Sequence, residues 1–84
     1  MVQQFPGAPQ FKTRLALVLF VKGGSTPIAL YTENPQADYE EIQKLLKTSS
    51  SAFFERDTLS GPIKKISLPV NQISAVALQE EQYA

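Results

Sequence analysis

The sequence predicts an α+β domain in the order β-β-α-β-β-β: a curled, mainly antiparallel five-stranded sheet, or half-open barrel, with one helix packed on it. Three observations predict it. Strand-length apolar stretches alternate between two faces, glycine and proline clusters punctuate them, and one segment, opening on Asn34-Pro35, has helical spacing.

Phe11 to Val21 reads as the first strand. Leu15, Leu17, Leu19 and Val21 point one way and Ala16, Val18 and Phe20 the other. Its second half is apolar on both faces, as a central strand requires, while Lys12 and Arg14 leave its first half more solvated. Lys22-Gly23-Gly24-Ser25 supplies the positive φ angles of a hairpin turn. Pro27 to Thr32 returns, with Ile28 and Leu30 on one face and Ala29 and Tyr31 on the other.

Asn34 caps the helix, and Pro35 at its first position loses only an N–H that would be unpaired anyway. Asp38, Glu40 and Glu41 lie early and Lys44 and Lys47 late, which matches the helix dipole. Tyr39, Ile42, Leu45 and Leu46 form its apolar stripe. After the polar connector Thr48 to Ser51, Ala52 to Asp57 reads as a third strand with Phe53 and Phe54 on opposite faces. Ser60-Gly61-Pro62 marks a turn into a fourth strand, Ile63 to Leu68. Pro69 to Gln72 is a turn, and Ile73 to Leu78 a fifth strand. The expected organisation is a flexible N-terminal arm over 1–10, one α+β domain over 11–79 and a frayed, polar C-terminal tail over 80–84.

The 84 residues include eight basic and eight acidic side chains, no His, no Cys and no Trp. Without imidazole or thiolate, the groups best suited to proton transfer and covalent attack near neutral pH are missing. No enzyme activity and no cofactor or metal is expected. The longest apolar run, Leu15 to Val21, is seven residues against the roughly 20 of a membrane-spanning helix. Absent cysteines and the lack of a signal-like start favour a cytoplasmic location.

Individual motifs support no chemistry. Lys22 precedes its glycine pair, the reverse of a phosphate-binding loop, so the pair is a hairpin turn. Ser49, Ser50 and Ser51 lack a partner base, and the carboxylates lack calcium-loop spacing. Glu55 and Asp57 share a face with Phe53, where one of them can meet Lys65 across the hairpin. Lys12, Arg14, Arg56, Lys64 and Lys65 near Phe53 and Phe54 form the one candidate nucleic-acid surface, since cations and aromatics on a sheet read single strands. Zero net charge argues against that alternative.

Strand edges are the better clue. Pro62, Pro69, Lys64 and Lys65 guard the fourth strand, whereas Ile73 to Leu78 carries neither charge nor proline. The last strand is therefore either interior to the sheet or a pairing site for a partner or second copy. Phe5, Ile73, Ala75, Val76 and Leu78 are the candidate interaction residues of a non-enzymatic homodimer or accessory subunit.

Leu17-Val18-Leu19 running through Lys22-Gly23 to Pro27-Ile28, the helix Asp38 to Leu46, and Lys64-Lys65 leading to Ile73-Ser74-Ala75-Val76 resemble a family of small cyanobacterial proteins of unknown function. The resemblance spans roughly residues 13–80 and departs at the proline-bearing N-terminus and at Thr32-Glu33-Asn34, which lacks basic residues. It implies a compact fold and brings no catalytic residue.

Overall fold

The computed structural model describes residues 12–49 and 51–83. The expected N-terminal arm, with Phe5, lies outside them. Five strands and one helix follow in the predicted order: β1 (Lys12–Val21), β2 (Ile28–Leu30), α1 (Pro35–Lys47), β3 (Phe53–Asp57), β4 (Lys65–Pro69) and β5 (Ile73–Tyr83). A 3-10 turn over Val70–Gln72 leads into β5.

The strands divide between two antiparallel sheets, β2-β1-β5 and β3-β4, and not one five-stranded sheet or barrel. The β3-β4 hairpin packs Phe54 into the core rather than extending the β1 ladder, and β1 uses both its edges. One takes β2, with Leu17 opposite Leu30 and Leu19 opposite Ile28. The other takes β5 over its whole length, from Lys12 opposite Tyr83 to Val21 opposite Ile73. The β3-β4 hairpin meets the larger sheet through a bridge between Tyr31 and Ser60, where the Leu59 N–H donates to the Tyr31 carbonyl at 2.7 Å.

Several boundaries differ from expectation: β2 covers only Ile28–Leu30 of the expected 27–32, and β4 starts at Lys65 and takes in Pro69. Residues 80–83, expected as a frayed tail, continue β5, because the first half of β1 gives their backbone a partner. The turn after β1 is wider than a tight hairpin. Gly23, at φ 75°, takes the positive φ, but β2 begins only at Ile28, and Phe20 and Val21 pair on the β5 side across a bulge at Ser74.

Side-chain alternation puts Leu17, Leu19, Leu30, Val76 and Leu78 on one face of the larger sheet. There they join Ile42 of α1, Phe54 of β3 and Val70 in a single core. All four residues of the expected helical stripe pack on or within it. Asn34 caps α1 as predicted, its Oδ1 accepting from the Ala37 N–H at 3.1 Å. Ser49 ends the helix at φ 53°, a conformation that L side chains other than Asn and Asp seldom adopt.

Phe54 is 0% exposed and its neighbour Phe53 is 61% exposed. Phe54→Ala is expected to cost about 3–5 kcal/mol, and Phe53→Ser less than about 0.5 kcal/mol, in urea unfolding. Ser49→Gly relieves a left-handed residue and is expected to stabilise by about 1 kcal/mol, read as a higher melting temperature.

Candidate functional site

Among the described residues the strand order β2-β1-β5 places β5 at the rim of its sheet, not in its interior. Its inner side is bonded to β1, and among the described residues no strand pairs with its outer side. Every second residue of an edge strand turns its backbone N–H and C=O outward, so the outer side of β5 carries a row of donors and acceptors that no described strand takes up. The edges of β2 and β4 are protected. β2 is only three residues long, and β4 carries Lys65 and closes on Pro69. β5 has eleven residues, with charge only at Glu80 and Glu81.

The two faces of β5 differ. Val76 and Leu78 are half-buried against the core, and Ile73 is buried in it. Ala75 is exposed and Ala77 half-buried on the reverse face, where they stand beside Phe20 and Val18 of β1. Val18 also faces Ala29, so this reverse face is a strip of small apolar residues ending at Phe20, which is 40% exposed. Four of the five sequence-predicted interaction residues, Ile73, Ala75, Val76 and Leu78, thus lie on one strand, and Phe5 lies outside the described residues.

Beyond Leu78 the edge is held by a cluster that joins β5, β1 and Tyr31, the residue after β2. Glu81 stands opposite Arg14, whose Nε lies 3.5 Å from its Oε1. The Tyr31 hydroxyl donates to the same Oε1 at 2.8 Å, and the Arg14 guanidinium stacks 3.8 Å from the centre of the Tyr31 ring. The bond to Glu81 is the main cause of a raised Tyr31 pKa, with burial and the Glu81 charge adding to it and Arg14 opposing. Tyr31 and Glu81 escaped the sequence reading because their proximity depends on the β1–β5 register. The only hint was that all three are polar residues near strand ends.

A second arginine fastens the β3-β4 hairpin to α1. Arg56 Nε donates to Asp38 Oδ1 at 3.0 Å and its Nη2 to Glu41 Oε1 at 2.6 Å, while the guanidinium lies 4.6 Å from the Phe54 ring centre. Burial works against the charged form, but the two carboxylates outweigh it and raise the Arg56 pKa. Asp38 is 6% exposed, so this guanidinium balances a buried charge.

The residues of the candidate nucleic-acid surface are placed as follows in the fold. Arg14 is engaged by Glu81 and Arg56 by Asp38 and Glu41, and Lys65 stands opposite Asp57, the cross-strand partner foreseen for it. Lys12 and Lys64 are exposed. Among the described residues no group of acidic side chains could hold a metal ion, and no helix is long and apolar enough to cross a membrane. Compared with known protein families, curated proteins and solved structures, the chain matches none.

The Tyr31 bond makes stability fall at alkaline pH. A phenol whose folded pKa is raised contributes its full stabilisation below the unfolded value of about 10, and loses it as pH rises through the folded value. Tyr31→Phe is expected to cost about 1 kcal/mol at neutral pH and to flatten the loss of stability above pH ~10, measured by urea unfolding across a pH series.

Proposed function

We propose that this protein is a non-enzymatic interaction module, a homodimer or an accessory subunit of a larger assembly, which takes up another strand along the outer side of β5. One observation carries the reading. Among the described residues the longest strand is an edge, and its first six residues have none of the charges or prolines with which monomeric sheets guard their rims. Strand addition uses that arrangement, with main-chain hydrogen bonds supplying affinity and alternate side chains supplying selectivity.

The lack of imidazole and thiol supports a role without catalysis. The nucleic-acid alternative is weakened by the carboxylates on Arg14 and Arg56. Binding through β5 also explains why its core-facing side chains, Val76 and Leu78, stay only half-buried in the isolated chain.

Placing lysines at Ala75 and Ala77 tests the proposal, because both project away from the core. The double variant is expected to melt close to wild type and to retain its bound chain at least ~10-fold less, a loss of about 1.4 kcal/mol. Full retention of the bound chain by a folded double variant argues against the β5 edge.

A further inference from the structure

We infer that the strand taken up by β5 is the β5 of a second copy, antiparallel and centred on Ala77, so that two three-stranded sheets become one of six strands, β2-β1-β5-β5-β1-β2. This rests on the proposed role of the β5 edge and names its occupant.

The register follows from the side chains. A two-fold axis normal to the sheet keeps the helix-bearing faces of both copies on one side, so residues of the same face must meet across the new edge. Centring on Ala77 sets Val76 of each copy opposite Leu78 of the other. The row that already runs Ile28–Leu19–Val76 and Leu30–Leu17–Leu78 then continues into the second subunit. On the reverse face Ala77 meets its own copy and Ala75 meets Gln79, with no large side chain to clash.

Charge selects the same arrangement. Glu80 and Glu81 are the only charged residues of β5. Parallel pairing in register would stack each on its own copy, an unfavourable apposition. In the antiparallel register centred on Ala77 they fall at opposite ends, facing Ser74 and Ile73. Moving the centre to Leu78 sets Glu80 against Val76 and Glu81 against Ala75. Moving it to Val76 gives Leu78 only Ser74 as a partner. Ser74 is the bulge residue, its hydroxyl bonded to the Phe20 carbonyl at 2.9 Å, so regular pairing spans Ala75 to Gln79. A run this short implies a dimer that dissociates on dilution.

Because the chain has no cysteine, single-cysteine variants report the register directly. Across the two-fold axis Ala77 meets its copy at about 4.5–5.5 Å between Cα atoms, within disulfide reach. Gln79 is four residues from its copy along the strand, about 14 Å, and out of reach. Ala77→Cys is expected to form a covalent dimer under mild oxidation and Gln79→Cys to remain monomeric. In sedimentation runs over a concentration series, wild type is expected to pass from monomer to dimer. Ala77→Asp, which puts two carboxylates face to face, should stay monomeric, and Ala75→Asp, which faces Gln79, should still dimerise. Far-ultraviolet circular dichroism checks that both variants fold.

Equal cross-linking at both positions overturns the register. A wild type that stays monomeric at every concentration, with Ala77→Cys uncross-linked, overturns the second copy. If a foreign chain is nevertheless lost from the Ala75, Ala77 double-lysine variant, the edge reading survives without its self-partner. Slow amide exchange along both sides of β5 in a dilute monomer overturns both.

Discussion

The first strand and the last are paired along ten residue positions, and the remainder of the fold is arranged around that ladder. Its cost is the closure of a loop that spans almost the whole described chain, a cost that grows only slowly with loop length. Its return is a long ladder with Leu17 beside Leu78 and Leu19 beside Val76. Once β1 has β5 on one side and β2 on the other, it has no edge left. The β3-β4 hairpin joins by the backbone bridge at Tyr31 and by side chains, Phe54 filling the core and Arg56 gripping α1.

Two arginines illustrate how context redefines a residue. Arg14 and Arg56 both read as exposed cations on sheet surfaces. Arg14 closes a cluster with Tyr31 and Glu81 that links β1, β5 and the end of β2, and Arg56 balances the buried carboxylate of Asp38 and reaches Glu41 beside it. Each thereby stabilises a junction between elements that are distant in the chain. A charge engaged by a hydrogen-bonded carboxylate is a poor counter-ion for phosphate, because binding there must first displace the internal partner.

The same ladder creates the candidate site. Pairing with β1 consumes the inner edge of β5 and leaves the outer one, while the Arg14 cluster holds the far end of the strand extended. Half-buried Val76 and Leu78 on one face and alanines on the other give that rim an apolar character without large protruding groups. The proposed assembly would extend the existing core rows sideways and require no rearrangement of the fold.

Local physics made much of this legible in advance. Asn34-Pro35 and the spacing of Tyr39, Ile42, Leu45 and Leu46 specified α1, since capping and amphipathicity act within a few residues. Alternation and turn residues located all five strands, and the run from Leu15 to Val21 marked β1 as central. Ile73 to Leu78 stood out as uncharged, yet whether it lay inside the sheet or at its rim was open. Strand pairing decides that, and strands with similar apolar patterns present the same backbone groups to every possible neighbour. The division into two sheets, the extension of β5 to Tyr83, the meeting of Tyr31 with Glu81 and the place of β5 at the rim of the described sheet were therefore settled only in three dimensions, where β1 paired with β2 and β5 while the hairpin packed into the core.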